Sequence, residues 1–202
     1  MLGIALTLNT LAAPTGGTPT ASNKQQVKIP RFNRLSVATV GTVTFKQAPK
    51  CSMHIYGSKR LMDKIRYRVD NNELVIDFGP DGAHNVNRGE KLYIDITAPT
   101  LKSIDFDGVG QFSCDSTIHI DNDLTISLNG VGDLHVEDLR CKSLNIEING
   151  VGKAKINVQC QQHLDAEVSG IGSLTLRGRT ATLSTDRSGI GRINTRRLKV
   201  GQ

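Results

Sequence analysis

The chain repeats a short motif, in which two glycines flank a valine or an isoleucine, five times from residue 108 onward. The first glycines of the five motifs are Gly108, Gly130, Gly150, Gly170 and Gly189, at spacings of 22, 20, 20 and 19 residues. A near-constant period of this length is typical of proteins that are built from stacked coils, with one coil for each repeat. This period restricts the possible folds more than any other feature of the sequence.

The residues on both sides of each motif alternate between apolar and polar, which is the pattern of a half-buried β-strand. Leu124, Ile126 and Leu128 precede the second motif, and Leu134 and Val136 follow it. Each repeat therefore predicts a strand, a corner and a second strand. In stacked repeats, equivalent apolar residues should form ladders through the interior. One predicted ladder consists of Phe112, Leu134, Ala154, Leu174 and Ile193.

The glycines of each motif tolerate positive φ and a sharp bend, so the motif predicts a corner. The β-branched residue between the glycines is expected to point inward and to plug the corner. These central residues are Val109, Val131, Val151, Ile171 and Ile190. On this interpretation, Val151→Asp would bury an unpaired carboxylate and unfold the stack. The small polar residue before each corner, such as Asn129 or Asn149, is expected to hydrogen-bond locally or along the stack.

Together these patterns predict an all-β chain that forms a right-handed parallel β-helix with coils of about 20 residues. A β-propeller or a β-sandwich is the alternative. A propeller blade, however, needs about 40 residues, and sandwiches do not usually repeat a glycine corner in register. The aromatic content of 4 % and the absence of tryptophan indicate a core of valine, isoleucine and leucine, which favours strands.

We expect one domain over residues 27–202, preceded by a signal-like or disordered leader over residues 1–26. The leader contains an apolar run that is too short to span a bilayer and ends in small residues, as secretory signals do. Residues 28–100 are strand-like without a corner motif, and we expect irregular coils or hairpins that cover the N-terminal end of the stack. At the other end, Thr185 and Arg187 occupy apolar positions of the central coils, so a charged cap should end the ladder.

The positions of the cysteines in the repeats lead to two expectations. Cys114 occupies the position of Val136 in the next coil, so we expect a core residue rather than a reactive thiol. Cys141 and Cys160 lie in successive coils, eleven and ten residues after their corner glycines. Stacked neighbours fall within the Cα separation that a disulfide requires, but the offset of one residue could turn the two side chains apart. The sequence leaves open whether they form a bridge or pack as free thiols.

The order of segments resembles a known family. FNRLSVATVGTVTFKQ is followed by LVIDF, by LYIDITAPTLKSIDFDGVG and by repeated NGVG and SGIG corners. This order is similar to the head GIN domain of putative bacterial auto-transporter adhesins, over about residue 27 to the C-terminus. The resemblance implies a β-helical protein of a Gram-negative bacterium with adhesion as its role. Such a protein would be secreted or exposed in the cell envelope, in the periplasm or on the outer surface. The resemblance supplies no catalytic motif.

A search for catalytic or metal-binding residues yields few candidates. The five histidines do not fall at metal-ligand spacings with one another or with cysteine, and no phosphate-binding glycine motif is present. We therefore predict no cofactor, no metal site and no catalytic residue. One set of acidic residues does share an outward position in successive coils. These are Asp105, Glu147, Glu167 and Asp186, with Ser127 among them. A polysaccharide-cleaving enzyme would need such residues beside a basic group, and none is evident near them.

The formal net charge is +6, and basic residues concentrate in the first third and in the last coil. Such regions attract anionic polymers at long range. Nucleic acid is a poor candidate because aromatic stacking residues are scarce. The ligand-binding candidates are therefore Arg192 and Arg196 at the basic end, or Asp105, Glu147 and Glu167 in the acidic row. The favoured function is a surface adhesin that binds a glycan or another cell-surface component, and the alternatives are a structural envelope protein and a polysaccharide-cleaving enzyme. The sequence does not indicate an oligomeric state.

Overall fold

A computed structural model describes residues 24–79 and 90–201, so most of the predicted leader lies outside the described residues. The described chain is all-β apart from one turn of helix. Its elements are β1 (Lys24–Val27), β2 (Arg34–Ala38), β3 (Val40–Gln47), β4 (Ser52–Gly57), α1 (Lys59–Met62), β5 (Arg66–Asp70), β6 (Glu73–Asp77), β7 (Leu92–Ala98), β8 (Ser103–Phe106), β9 (Val109–His119), β10 (Leu124–Leu128), β11 (Val131–Cys141), β12 (Leu144–Ile148), β13 (Val151–Cys160), β14 (His163–Val168), β15 (Ile171–Thr180), β16 (Thr182–Arg187) and β17 (Arg192–Val200).

The strands form two sheets that stack coil upon coil. Sheet A has the order β1-β4-β7-β3-β9-β11-β13-β15-β17, and sheet B has the order β16-β14-β12-β10-β8-β2-β6-β5. Each repeat contributes a short strand to sheet B, then a corner, then a long strand to sheet A. Neighbouring repeats pair in parallel, which gives a β-solenoid of about five turns. The predicted fold class, an all-β parallel β-helix, is confirmed.

The interior consists of aliphatic ladders, because every second residue of each strand points between the two sheets. The predicted ladder from Phe112 through Leu134, Ala154 and Leu174 to Ile193 is present in register. The residues before the corners also hydrogen-bond along the stack. Asn149 Nδ2 donates to Asn129 Oδ1 at 3.0 Å, and Ser188 Oγ donates to Ser169 Oγ at 3.1 Å. Both sequence predictions are therefore confirmed.

The corner glycines are required because the coils stack closely at the corner. A Cβ atom at Gly150 would lie 1.9 Å from the carbonyl oxygen of Gly130, and one at Gly130 would lie 2.0 Å from that of Gly108. Positive φ is a smaller part of the explanation: Gly110 has a φ of 144°, whereas neither Gly130 nor Gly150 has a positive φ. The lack of space for a side chain, more than backbone freedom, therefore selects glycine here.

The expectation that the central residue of each motif points inward is wrong. Val109 and Val131 are each 51 % exposed, and Val151 is 45 % exposed. Ile171 and Ile190 are 57 % and 80 % exposed. The alternation of the strands continues through the corner, so the two glycines take the inward positions and the residue between them faces outward. The five central residues form an exposed aliphatic row along the corner.

The N-terminal segment covers one end of the stack, as expected. In sheet A, β4 pairs antiparallel with both β1 and β7, and in sheet B a hairpin of β5 and β6 forms the edge. Asn71 and Asn72 have φ values of 47° and 62°, as a tight hairpin turn requires. The segment lacks the complete motif, but it does contain one corner, because Val40 and Gly41 pair with Val109 and Gly110. The sequence pattern is incomplete there because Thr39 stands in place of the first glycine.

The C-terminal end is charged, as predicted. Thr185 is in register with Ala166, and Arg187 is in register with Val168, but both end residues are exposed. Charged side chains on an edge strand hinder pairing with another chain. Thr185 and Arg187 therefore make β16 a poorer template for pairing than the aliphatic strands of the central coils.

The cysteines of the repeats are buried. Cys114 is in register with Val136, as expected, and burial raises the pKa of its thiol. Cys141 and Cys160 are also in register, because a β-bulge after Val136 absorbs the extra residue of β11. Both are buried and free. Their mutual hydrogen bond, followed by burial, raises the pKa of Cys141. The structure thus favours packed free thiols over a bridge.

Substitutions at one corner should separate the roles of glycine and of the central residue. Gly150→Ala is expected to lower the free energy of unfolding by about 2 kcal/mol or more, because the new Cβ overlaps a backbone oxygen. Val151→Asp should change the free energy of unfolding by no more than about 1 kcal/mol, because the position is exposed. Urea denaturation of both variants and the parent measures the difference. A larger loss for Val151→Asp than for Gly150→Ala would contradict the assigned orientation.

Thiol labelling should report the burial of the cysteines. Cys51 is partly exposed, whereas Cys114, Cys141 and Cys160 are buried. In the folded protein, a maleimide reagent should therefore modify Cys51 first, since the reactive species is an accessible thiolate. In denaturant without reductant, all four thiols should react, and intact mass counts the additions. Two unmodified cysteines in denaturant would instead demonstrate a disulfide, and peptide mapping would show whether it joins Cys141 and Cys160, which are paired in register.

Candidate functional site

The outer face of sheet A is strongly basic in the last three coils. The strands β13, β15 and β17 carry eight basic residues and no acidic residue. The basic residues are Lys153, Lys155, Arg177, Arg179, Arg192, Arg196, Arg197 and Lys199, and all are exposed. We call this surface the basic face. The strand alternation places it outside, because the intervening residues form the aliphatic ladders of the core.

One row of side chains crosses all five repeats at the far end of the sheet A strands. His119 is in register with Arg140, Arg140 with Gln159, Gln159 with Arg179, and Arg179 with Lys199. We call these five residues the groove row. They line an open groove of about 840 Å³, together with Gln161, Thr180 and Val200. Adjacent strands of a sheet lie about 4.8 Å apart, so the row presents its side chains at that interval.

Contacts within the protein orient parts of this row. Arg140 forms an ion pair with Asp138, with an Nη2 to Oδ2 distance of 3.2 Å. Arg179 Nη2 donates to Gln159 Oε1 at 3.3 Å. Both arginines remain exposed, as does Lys199. The guanidinium groups are thus partly held in place while they can still meet a ligand from solvent.

The sequence-based candidates Arg192 and Arg196 lie on the basic face. Both are exposed on β17, where Arg192 is in register with Ser173, and the Arg196 N–H donates to Asn194 Oδ1 at 3.2 Å. Sequence reasoning missed the groove row because its members stand nine to eleven residues after their first corner glycines. Bulges in β9, β11 and β17 absorb these differences. Only the pairing register aligns the five side chains.

The acidic candidates lie on the other sheet. Asp105, Ser127, Glu147, Glu167 and Asp186 are in register in sheet B. Neutral neighbours donate hydrogen bonds to three of these carboxylates. The donors are Asn129 Nδ2 to Asp105 at 2.9 Å, Asn145 Nδ2 to Glu147 at 3.0 Å and Ser169 Oγ to Glu167 at 2.6 Å. The acidic row thus lies on sheet B, and Arg192 and Arg196 lie on sheet A. The two sets approach each other at the C-terminal end, where Asp186 and Arg192 line a cavity of about 240 Å³ together with Arg187.

No metal-binding group emerges from residues 24–79 and 90–201: no three histidine, cysteine, aspartate or glutamate side chains there are grouped so as to hold an ion. His119 and His135, which the sequence places on outward positions, have side chains that are 61 % and 38 % exposed. They contact Asp121 and Glu137 respectively.

The helix in the described part of the chain is a single turn, and no helix there is long and apolar enough to span a membrane.

Asp105 should make stability depend on pH. Burial raises the pKa of its carboxyl group, and nearby Asp107 and Glu73 act in the same direction, while the Asn129 hydrogen bond opposes them. A raised pKa in the folded state means that the protonated form stabilises the fold below the unfolded pKa of about 3.9, and that this contribution disappears as the pH rises through the folded pKa.

Asp105→Asn removes this ionisation and keeps an acceptor oxygen for Asn129. The gain in free energy of unfolding of the variant over the parent should be larger at neutral pH than below a pH of about 4. Urea denaturation at both pH values measures the difference. A gain of equal size at the two pH values would show that the ionisation of Asp105 is not its cause.

Two solved structures are similar to this chain. A putative adhesin from Bacteroides fragilis is 25 % identical, with a TM-score of 0.57, over 85 % of this chain and 95 % of that chain. A putative adhesin from Parabacteroides distasonis is 16 % identical, with a TM-score of 0.70, over 89 % of this chain and 75 % of that chain. The second likeness concerns the fold alone. No protein with a curated description is significantly similar to this chain.

The order of segments in the sequence resembles one known family, and a sequence profile bears this resemblance out. The sequence profile of that family, described as "Putative auto-transporter adhesin, head GIN domain", matches residues 31–163. This match spans more than half of the chain, and the chain therefore belongs to the head GIN domain family of putative auto-transporter adhesins.

Proposed function

We propose that this protein is a secreted or surface-exposed adhesin module of a Gram-negative bacterium, which binds an anionic glycan or a similar surface component without catalysis. The observation that carries the proposal is the basic face, with eight basic residues and no acidic residue over three coils of sheet A. Family membership and the neighbouring adhesin structures support the same role.

The basic face suits a polymer better than a small molecule. Its side chains lie on a broad outer surface, and stacked coils repeat equivalent positions at even intervals. A surface with one sign of charge also raises the association rate of an oppositely charged partner. Arg192 and Arg196 contribute to this field, whereas Asp105, Glu147 and Glu167 on sheet B would repel the same ligand. We therefore favour the basic candidates over the acidic row.

The alternatives receive less support from the arrangement of charges. A polysaccharide-cleaving enzyme needs acidic groups beside a base, but Glu147 and Glu167 are hydrogen-bonded to neutral neighbours. Asp186 does line a cavity with Arg187 and Arg192, but this cavity, of about 240 Å³, is smaller than the groove of about 840 Å³. A structural envelope protein has no need for a segregated basic surface. Product release from acidic polysaccharides, with and without calcium, tests the enzymatic alternative directly.

Paired variants on the two sheets test the proposal. Arg192→Ser with Arg196→Ser should leave the free energy of unfolding within about 1 kcal/mol of the parent, because exposed charges contribute little. The variant should bind immobilised heparin or polygalacturonate more weakly, with a flatter dependence of binding on salt. Surface plasmon resonance over a series of salt concentrations measures both properties.

Glu147→Gln with Glu167→Gln is the matched control, since it changes two charges on sheet B. This variant should bind the same polymers as well as the parent, or more tightly. If the arginine variant binds as tightly as the parent at every salt concentration, Arg192 and Arg196 do not take part in binding and the basic end is only a solvated cap of the stack. A glycan array on the purified parent protein extends the search to neutral ligands.

A further inference from the structure

We infer that the groove row is a binding site for a linear chain of carboxylated or sulfated sugars, which runs along the solenoid axis across successive coils. This inference rests on the proposed adhesin function and assigns its ligand class and position. The groove of about 840 Å³ follows the row from His119 to Lys199. Nothing in the family description assigns a ligand or a site to these residues.

The geometry of the row fits an extended polymer. Successive side chains are about 4.8 Å apart because each one comes from the next strand of sheet A, and this interval is close to the length of one sugar residue in an extended polysaccharide. A chain that lies along the axis therefore meets one side chain from each coil. Arg179 and Lys199 provide positive charge at two adjacent positions, and Arg140 adds a guanidinium group whose charge its ion pair with Asp138 partly offsets.

The chemistry of the lining favours a glycan over a nucleic acid. Guanidinium groups bind carboxylates and sulfates through paired N–H donors. Gln159 and Gln161 provide amide donors and acceptors for sugar hydroxyls. The residues that line the groove include no phenylalanine, tyrosine or tryptophan, whereas proteins that bind single-stranded nucleic acid stack its bases on such rings.

The site is also held by a rigid scaffold. Arg140 and Gln159 belong to strands whose alternate residues, Leu139 and Val158, are fully buried in the core. The Asp138 carboxylate and the Gln159 amide orient Arg140 and Arg179, as described above. A ligand therefore meets side chains that have already lost part of their conformational freedom, which lowers the entropic cost of binding.

Two double variants with equal loss of charge test the site. Arg179→Ser with Lys199→Ser removes two cations from the groove row. Lys153→Ser with Lys155→Ser removes two exposed cations from the same face but from residues that do not line the groove. The probes are heparin, polygalacturonate, neutral dextran and single-stranded poly(dT), and the readout is the dissociation constant by isothermal titration calorimetry over several salt concentrations. Thermal unfolding of each variant verifies the fold, and Lys199→Ser alone serves as a milder variant.

The groove variant should weaken binding of heparin or polygalacturonate about tenfold or more, because it removes direct charge-assisted contacts. The control variant should weaken it several-fold less, since it lowers only the general field. Equal losses for the two variants, or binding of poly(dT) with the same affinity and the same response to the groove variant, would overturn the inference.

The failure of the inference can be told apart from the failure of the proposed function. If the parent binds neither polyanion but binds another glycan on an array, the ligand class inferred for the groove is wrong and the adhesin function stands. If the parent binds no glycan and adheres to no bacterial or host cell surface, both are wrong. A preference for heparin over polygalacturonate, or the reverse, identifies sulfate or carboxylate as the recognised group within the inferred class.

Discussion

The close contact of backbone with backbone at the corners is the constraint on which the rest of the structure depends. Each corner glycine lies against a backbone carbonyl oxygen of the coil below, which belongs to a glycine in every motif position except Gly108, where it belongs to Thr39. A Cβ on Gly152 would lie only 1.7 Å from the carbonyl oxygen of Gly132. This contact sets the vertical alignment of the coils. Once the corners are aligned, the strands on both sides pair in register, and apolar residues at equivalent positions of successive coils form continuous ladders. The same alignment determines which side chains face solvent together.

Because the coils stack in register, side chains from different repeats form continuous surfaces. Residues that are far apart in the chain, such as Lys155 and Arg197, become parts of a single basic face because their strands share sheet A. Glu147 and Glu167 join a single acidic row because their strands share sheet B. The chain alternates between the sheets in every repeat, so the eight basic residues of β13, β15 and β17 and the acidic row lie on different sheets, although some opposite charges, such as Asp138 and Arg140, share one strand. This segregation gives the molecule a directional electrostatic field.

The two ends of the solenoid solve the problem of unpaired edges in different ways. At the N-terminal end, antiparallel strands such as β4 and the β5–β6 hairpin end the parallel stacking. At the C-terminal end, Thr185 and Arg187 replace the aliphatic residues of the core ladders, and the exposed strands carry charge. Edge strands with charged side chains are poor templates for pairing with another chain.

The sequence alone determines the stacked architecture, because the glycine period and the alternation of apolar residues are local and repeat many times. The inward ladders and the buried position of Cys114 could be predicted for this reason. The sequence could also have indicated the outward position of Val151, since strict alternation from Leu144 through the corner places the glycines inside. The groove row could not be predicted, because bulges within β9, β11 and β17 change the number of residues between the corner and each member. Only the hydrogen-bonded pairing of the strands decides that Arg140, Gln159 and Arg179 lie side by side. The spacing of three residues between Val136 and Leu139 indicates an extra residue in β11, but it does not show how the strands re-pair beyond it.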